Sequence, residues 1–334
     1  TDNQDFRMVE KTVLVTGIGG NVGQGILRNI IDLNYNIKLI GCDITSFNAG
    51  NHLCDKTFKV PYSYEDGYIN SINNIIKECN VDLIIPSTDY EVYFLGLNRN
   101  EIKTKVVVSD SEISKFLLDK YLTFQLFSKY DIPFAKSWLP KDYNNKVNSI
   151  IAKPRKGRGS RGIIINPEKV NHLDDSYLIQ EMHEGIEITT SIYINKNNKV
   201  HGICSMERKL TNGTTSQIII NDMYDSIFLD IANKIANMGG VKGSINVQSI
   251  VDKNGQVFPF EINCRISGTN SIRHNLGFQD VKYTLQEYLF DEKPDSVNIK
   301  NNKAIAVRIL MDVIYPEATS FEDLNNNSVK HIIF

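Results

Sequence analysis

Residues 243–265 read GSINVQSIVDKNGQVFPFEINCR, and this stretch decides the fold expected for the chain. Two runs rich in β-branched and aromatic residues flank Asn254-Gly255, the dipeptide that most strongly signals a two-residue hairpin turn. That turn fixes the register and predicts two facing polar pairs, Gln248 with Glu261 and Asn246 with Asn263. Apolar side chains are expected on the opposite face, namely Val247, Val251, Phe258 and Ile262.

The polar face of this hairpin has the composition of a magnesium site. Mg²⁺ is a hard ion that proteins usually hold through one or two carboxylates together with substrate phosphates. Arg265 follows on the same face and could stabilise charge on a transferring phosphoryl group. A strand that faces water would also be polar on one side, so the hairpin alone leaves that simpler alternative open.

A second stretch, IIAKPRKGRGSRGIII at 150–165, has the composition of a phosphate-binding loop. An apolar strand carries Lys153 into a segment with three glycines and four further basic residues. Glycines let backbone N–H groups approach a polyanion, and the lysine supplies a point charge. The spacing is not that of a Walker A motif. A nucleic-acid-binding hairpin and a solvated hairpin tip are the alternatives, and the near-neutral chain disfavours the first.

The front of the chain alternates strands and helices. KTVLVTGIGGNVGQGILRNII at 11–31 is a β-branched strand, a glycine-rich turn and a helical pattern. The alternation continues through a strand at 37–45, a helix at 68–79 and strands at 81–89 and 105–110. Residues 1–110 are therefore predicted to form a Rossmann-like domain with a parallel sheet. Beyond Ser111 the pattern changes to a helix, a short connection and hairpins, which indicates an α+β arrangement, and a strand and tail are expected at 303–317.

The glycine-rich turn of the first unit also fits a dinucleotide site. Gly17, Gly19, Gly20 and Gly23 resemble the dinucleotide fingerprint, and Asp43 follows the second strand at a suitable offset. Glycines at such a turn also serve close packing of strand on helix, and Asp43 could cap the next helix. An NAD(P)-dependent oxidoreductase or epimerase therefore remains an alternative, although it gives no use to residues 246–265.

Composition narrows the class of protein. The 334 residues are 41% apolar with a net charge of -2, and the five cysteines are scattered without a CxxC pair. These features indicate an ordinary globular protein with reduced thiols. No apolar run of about 18 residues or signal peptide is visible, so we expect a cytoplasmic protein without a membrane partner. The charge balance likewise predicts no nucleic-acid partner.

The motifs together resemble one family. Lys153 with its glycine-rich loop, LIQEMHEGIEITTSIYI at 178–194, GSINVQ at 243–248 and EINCR at 261–265 resemble the ATP-grasp superfamily in order and spacing. The likeness is to its carbamoyl-phosphate synthase-like branch and covers roughly residues 11–290. It implies a Rossmann-like pre-ATP-grasp domain at 1–110, an N-terminal ATP-grasp subdomain with the phosphate loop at 111–185, and a C-terminal subdomain with the metal-binding hairpin and tail at 186–334.

The resemblance implies a set of ATP ligands from three segments. The phosphates would contact Lys120, Lys153 and the loop residues Gly157, Gly159, Ser160, Arg161 and Gly162. Adenine would meet backbone groups of Glu181, Met182 and His183, and the ribose hydroxyls would meet Glu187. Single positions have simpler alternatives, because Lys120 could face solvent at a helix start and Glu187 could be an exposed strand residue.

The resemblance also implies a metal site. Two Mg²⁺ ions, with Mn²⁺ as the alternative metal, would be held by Gln248, Glu261 and Asn263, and Arg265 would lie beside the γ-phosphate. Cys264 stands where the family usually has a proline, so the local backbone loses that source of rigidity.

The implied activity is that of a stand-alone ATP-dependent carboxylate–amine ligase. A carboxylate attacks the γ-phosphorus, ADP leaves an acyl phosphate, and an amine then forms the amide, so no protein nucleophile is needed. Arg208 and Arg273 are candidates to bind a substrate carboxylate or phosphate, and Asp89 with Glu91 are further substrate candidates; structural ion pairs are the alternative for all four. An ATP-grasp kinase would differ only in its acceptor, and a homodimer is left open.

Overall fold

The computed structural model describes residues 9–144, 147–157, 161–212, 214–300 and 303–334. The front of the chain forms a five-stranded parallel sheet in the order β3-β2-β1-β4-β5. Its strands are β1 (Lys11–Thr16), β2 (Ile37–Asp43), β3 (Lys56–Lys59), β4 (Leu83–Ile85) and β5 (Lys105–Val106). The helices between them are α1 (Asn21–Leu33), α2 (Tyr68–Cys79) and α3 (Asp89–Leu97). Val13 and Val15 of β1 enter one buried cluster and Leu14 enters another, so both faces of the sheet are covered.

A four-stranded antiparallel sheet follows two helices. The helices are α4 (Ser111–Leu118) and α5 (Lys120–Lys129). The strands are β6 (Ser137–Trp138), β7 (Ile150–Pro154), β8 (Ile164–Ile165) and β9 (Tyr177–Glu181), in the order β6-β9-β7-β8. This sheet presents Lys153 of β7 to the rest of the molecule.

A six-stranded antiparallel sheet holds the largest buried cluster. Its strands are β10 (Ile186–Ile194), β11 (Val200–Thr211), β12 (Thr214–Ile220), β13 (Gly243–Val251), β14 (Val257–Asn263) and β15 (Ile305–Val307), in the order β14-β13-β10-β11-β12-β15. The helices of this part are α6 (Asp225–Met238), α7 (Asn270–Leu276) and α8 (Asp280–Tyr288). Ile188, Val247 and Ile262 of the sheet pack with Phe228 and Ile235 of α6 in the cluster. The predicted parallel-sheet front and α+β remainder are confirmed, whereas the limits at residues 110 and 185 stay predictions.

The β13–β14 hairpin contains the predicted pairs, but its loop differs from the predicted turn. Its loop is longer than the predicted two-residue turn: Gly255 N–H bonds to Asp252 O, and Gly255 adopts a φ of +78°. A one-residue bulge at Phe260 then restores the register, so that Glu261 lies opposite Gln248 as predicted. The prediction for Phe258 was wrong, because the bulge turns this ring away from the core and it stacks on His183.

Helix α1 is one of the elements that fix the front domain to the remainder. A Cβ on Gly25 of α1 would stand 2.4 Å from Oδ1 of Asn270, so this glycine permits α7 to approach. Asn29 donates to the same Oδ1 at 2.8 Å, and His274 Nε2 lies 2.9 Å from Asp32 Oδ2. Glycine and polar pairs therefore fix the angle between the two parts.

The strand 81–89 predicted from sequence is shorter in the structure. β4 ends at Ile85, and Thr88 caps α3 by accepting a hydrogen bond from Glu91 N–H. The sequence Thr-Asp-Tyr-Glu is a capping box that signals a helix start at Asp89.

The end of the described chain folds back over the front domain. β15 borders the six-stranded sheet, and β16 (Val313–Ile314) pairs with β17 (Ile332–Ile333). Thr57 N–H of β3 donates to Asn325 O at 2.9 Å. The predicted strand at 303–317 therefore corresponds to β15, and the residues after 317 cover the β3 edge. Among the described residues, no helix has the length and apolar character that crossing a membrane requires.

Candidate active site

The site is centred on a buried lysine that faces the hairpin. Lys153 is 6% exposed, and its Nζ lies 5.0 Å above the ring of Phe260. Burial lowers its pKa from 10.5 to about 8; Glu261 and Glu187 oppose this effect, and Lys120 adds to it. Burial makes the charged form of Lys153 energetically unfavourable, and a strongly anionic partner would stabilise that charge.

A second lysine joins the phosphate loop to the hairpin. Lys120 is the first residue of α5, whose N-terminus is capped by Asp119 through hydrogen bonds from Tyr121 and Leu122 N–H groups. Its Nζ donates to Gly157 O at 3.2 Å and lies 3.7 Å from Glu261 Oε1. The alternative that Lys120 faces solvent is not what the structure shows, since its side chain is 11% exposed.

The base of the phosphate loop is tied to the same helix. Arg155 Nε and Nη2 donate to the two oxygens of Asp119 at 3.1 and 3.0 Å, and Lys120 N–H donates to Arg155 O. Sequence reasoning missed this pair, because thirty-six positions separate its members. Gly157 and Gly162 have φ values of +138° and +71°, which a side chain would disfavour. Gly159 and Ser160 lie outside the described residues, and Arg161 is exposed.

The polar face of the hairpin forms a connected network. Gln248 Nε2 donates to Asn263 Oδ1 at 3.2 Å. Arg208 donates to Glu187 Oε1 at 2.7 Å and to Gln248 Oε1 at 2.9 Å. The structure therefore brings the predicted ribose, metal and substrate residues together on one surface.

The front domain contributes to this network a carboxylate that the sequence offered as a substrate candidate. Asp89, the first residue of α3, accepts from Arg265 Nε at 3.1 Å and from Asn263 Nδ2 at 3.3 Å. Arg265 also donates to Ile266 O. The pair spans 176 positions, so Arg265 is oriented by a contact between the front domain and the hairpin.

In the segment predicted to hold adenine, two of the three backbone N–H groups already donate hydrogen bonds within the protein. Glu181 N–H donates to Lys136 O, and Met182 N–H donates to Ser149 O. Within the described ranges, His183 N–H has no backbone acceptor, so it is the donor of the three that a base edge could use. The His183 ring stacks on Phe258 at 3.5 Å between centroids, and its Nε2 lies 3.4 Å from Glu181 Oε2 without a hydrogen bond.

Family and structural comparisons match this geometry. Residues 117–269 match the family model of the ATP-grasp domain, and residues 13–108 match that of the PylC-like N-terminal domain. The chain carries an ATP-grasp domain. The recognition made from the sequence motifs, and the two-part ATP-grasp fold predicted with it, are thereby confirmed.

Two related sequences are tyramine–L-glutamate ligases. That of Methanocaldococcus jannaschii is 24% identical over 73% of this chain and 74% of its own length. That of Methanocaldococcus fervens is 27% identical over 59% of this chain and 63% of its own length. Among solved structures, N5-carboxyaminoimidazole synthetase from Staphylococcus aureus with ADP has a TM-score of 0.73 at 15% identity, covering 90% of this chain and 82% of that one. The L-amino acid ligase from Bacillus licheniformis has a TM-score of 0.68 at 13% identity, covering 86% and 75%.

The residues present in this ATP-grasp domain fit a divalent metal held jointly with phosphates. In the described part of the chain, no three His, Cys, Asp or Glu side chains form a group that could hold a metal ion. Glu261 accepts no hydrogen bond from a described residue, so its oxygens remain available. Gln248 lies opposite Glu261 in the hairpin and donates to Asn263 Oδ1. One carboxylate with amide oxygens suits Mg²⁺ that is also bound by substrate phosphates.

Arg273 lies in the core of the ATP-grasp domain rather than in the site. It is fully buried, and its Nε and Nη2 donate to both oxygens of Asp280 at 3.0 and 2.7 Å. Its Nη1 donates to Ser267 and Thr269. These bonds satisfy the guanidinium internally, so the expectation that Arg273 binds a substrate carboxylate gives way to the structural alternative.

The glycine turn of the front domain is closed by its own side chains. Gly19 N–H, which would face a pyrophosphate, donates to Asp43 Oδ2 at 2.8 Å. A Cβ on Gly23 would stand 2.4 Å from Gly17 O, so close packing of α1 on the turn requires this glycine. The geometry therefore favours the packing role over the dinucleotide role.

Proposed function

We propose that this protein is an ATP-dependent carboxylate–amine ligase that forms an amide through an acyl phosphate and releases ADP and phosphate. The observation that carries the proposal is the convergence of Lys120 and Lys153, from separate elements, on the hairpin face that bears Glu261 and Arg265. The enzyme class predicted from the sequence is confirmed by the related ligases. These relatives are named for joining an acid to an amine.

Each residue has a defined task in this proposal. Lys153 and Lys120 balance the charge of the ATP phosphates, and Lys120 also holds the phosphate loop through Gly157 O. Arg265, oriented by Asp89, stabilises charge on the γ-phosphoryl group as the substrate carboxylate attacks it. Lys120 and Arg265 are held in place before the reaction, which lowers the entropic cost of orienting them.

The ribose and metal residues adjoin this centre. Glu187 would accept hydrogen bonds from the ribose hydroxyls, and Arg208 would then turn from Glu187 towards an anionic substrate group. Gln248, Glu261 and Asn263 would hold two Mg²⁺ ions, or Mn²⁺, and a bound divalent ion there would neutralise charge on the transferring phosphoryl group. His183 N–H would meet the adenine edge.

A kinase of the same fold is the second candidate, because its phosphate site would be identical. The products distinguish the two: amide with ADP supports the ligase, and a phosphorylated acceptor with ADP supports the kinase. Formation of AMP would contradict the acyl-phosphate mechanism altogether.

The first experiment is calorimetric titration with a non-hydrolysable ATP analogue, with and without Mg²⁺, and separately with NAD(H). We expect Mg²⁺-dependent binding of the analogue that Lys153→Ala weakens, whereas Lys115→Ala on the exposed face of α4 serves as the matched control. A screen of carboxylates with amines for ADP and amide then follows, with glutamate and tyramine included because related enzymes carry those names. Binding of NAD(H) alone would place the active site at the front glycine turn and refute the proposal.

Two features remain predictions of the sequence. A cytoplasmic location is proposed for fractionation to check, and a homodimer is proposed as an option that light scattering can check.

A further inference from the structure

Glu91 is a buried carboxylate that has no role in the proposed mechanism. It lies in the first turn of α3, two residues after Asp89, and is only 8% exposed. The hydroxyl groups of Thr16 and Thr88 donate to its Oε1 at 2.8 and 2.9 Å, and the Tyr68 hydroxyl donates to its Oε2. Because both oxygens are buried and engaged, Glu91 is not available to a substrate, although the sequence made it a candidate.

The three hydroxyl donors come from three elements of the front domain. Thr16 ends β1, Tyr68 begins α2, and Thr88 caps α3. Burial raises the pKa of Glu91, and the hydrogen bonds from these hydroxyls oppose that rise. Hydrogen bonds to an ionised carboxylate are stronger than bonds between neutral groups. Glu91 therefore ties the start of α3 to β1 and α2.

The glycine turn after β1 makes room for this network. A Cβ on Gly17 would stand 2.3 Å from Ser87 Oγ and 3.6 Å from Glu91 Oε1. Gly17 also adopts a φ of +61°, which disfavours any other residue. Ser87 N–H donates to Thr16 Oγ1 at 3.2 Å, so the same threonine holds the residues that precede α3. The front glycine turn thus helps to seat the start of α3.

The start of α3 carries the carboxylate that orients Arg265. Asp89 accepts from Arg265 Nε and from Asn263 Nδ2 through one oxygen, Oδ2, at 3.1 and 3.3 Å. Both distances are near the upper limit for a hydrogen bond, so a shift of about 1 Å at Asp89 would break both. Among the described residues, Asp89 is the carboxylate paired with Arg265. The orientation of Arg265 therefore depends on how firmly the first turn of α3 is held.

We infer that Glu91 is a positioning residue for phosphoryl transfer: it holds the first turn of α3 so that Asp89 keeps Arg265 directed at the γ-phosphate. This inference deepens the proposed function and rests on it. Glu91 would touch no reacting atom, because its oxygens face the core of the front domain. Its effect passes through the Thr88 cap to Asp89, and from Asp89 to Arg265. The alternative is that Glu91 only stabilises the front domain.

The first test measures hydrogen exchange of the Arg265 Nε–H group by NMR of arginine-labelled protein, with the peak assigned by its loss in Arg265→Lys. Exchange should be slow in the wild type, because Asp89 accepts from this group. Asp89→Ala and Glu91→Leu should each accelerate it about tenfold or more, and the double variant should exchange no faster than the single ones. Glu91→Gln should stay within about threefold of the wild type, since its amide oxygen still accepts from Thr16 and Thr88.

A milder variant and two controls complete this test. Tyr68→Phe removes one hydrogen bond to Glu91, so it should accelerate Arg265 exchange about threefold or more, and it decides the matter if Glu91→Leu does not fold. Glu112→Leu removes an exposed acid from the first turn of α4 and should have no effect. The Nε–H of Arg273, bonded to Asp280 in the core, is the internal reference for global unfolding.

Two results of the exchange experiment would overturn the inference. One is a Glu91→Leu or Tyr68→Phe protein that unfolds at lower urea while its Arg265 Nε–H exchanges at the wild-type rate, because Glu91 would then only stabilise the fold. The other is equal exchange of Arg265 and Arg273 in Glu91→Leu, because both groups would then exchange through global unfolding.

Nucleotide binding links the inference to the γ-phosphate. In calorimetric titrations with Mg²⁺, Glu91→Leu and Asp89→Ala should weaken the non-hydrolysable ATP analogue about fivefold or more. Both should change the affinity for ADP, which lacks the γ-phosphate, by less than about threefold. Equal weakening of both nucleotides would mean that Glu91 supports the whole nucleotide site, which overturns the inference. If the wild type binds neither nucleotide, the ligase proposal is refuted, whereas the exchange of Arg265 still decides whether Glu91 positions it.

Discussion

Replacing Lys153 by methionine should stabilise the ligand-free protein while removing ATP binding. The lysine is buried, and its pKa is lowered from 10.5 to about 8, chiefly by that burial. This difference corresponds to about 3 kcal/mol of unfavourable free energy for keeping the charged form in the native protein at neutral pH. The contact with the Phe260 ring returns about 1 kcal/mol, so Lys153→Met should gain about 2 kcal/mol in its free energy of unfolding.

The dependence on pH provides a second check of the same reasoning. A lysine with a lowered native pKa binds fewer protons in the native state than in the unfolded state between about pH 8 and 10.5. The stability of the wild type therefore rises through that interval, relative to the variant. The advantage of Lys153→Met should be complete below pH 8 and should shrink as the pH approaches 10.5.

Urea denaturation of both proteins from pH 7 to 10 measures these differences. Lys115→Met on the exposed face of α4 is the control and should change stability by less than about 0.5 kcal/mol. With the ATP analogue at about a hundred times its Kd, the wild type should gain about 2.7 kcal/mol and the variant nothing, which reverses their order. The reasoning is refuted if Lys153→Met unfolds at the same or lower urea than the wild type, or if the difference between them is constant across this pH range.

Three further substitutions test the structural assignments. Arg273→Met leaves Asp280 buried without its partner, so it should lower the free energy of unfolding by about 3 kcal/mol or more in urea; a folded, stable variant with a raised KM for the acid would instead restore the substrate role. Gly25→Ala places a methyl group against Asn270 and should cost about 1–3 kcal/mol by the same assay, and an unchanged midpoint would show that the two parts are not held by α1. Asp119→Asn should raise the KM for ATP with a smaller change in kcat, measured by ADP release, because it loosens the phosphate loop; an effect confined to thermal stability would argue for a capping role alone.

In the hairpin, the local sequence pattern predicted the pairing of residues but not the type of turn. The facing pair Gln248 and Glu261 was predicted correctly, yet the turn assumed for it was wrong. Alternating polarity sets which residues share a face, and burial of the opposite face penalises any slip by one position. The bulge at Phe260 therefore absorbs the extra loop residue and preserves the pairing that the pattern demanded.

The partners of the basic residues could not be predicted in the same way. Arg265 and Arg273 lie close together in the sequence, and both were candidates for binding an anion. In the structure Arg265 reaches Asp89 across the domain boundary, whereas Arg273 is closed around Asp280 in the core. A guanidinium pairs with whichever carboxylate the tertiary packing brings near it. The hydrophobic periodicity of the sequence does not predict that partner.

The sequence by itself determined the order of elements and the two-part architecture, because β-branched runs, glycine-rich turns and alternating polarity act over a few neighbouring positions; the phosphate and metal residues stay predictions. Only the tertiary structure decided which cations remain available to a ligand, that Asp43 closes the front turn, and that Asp89 pairs with Arg265. These outcomes depend on how α1, α3 and the hairpin pack together, and that packing joins residues more than a hundred positions apart.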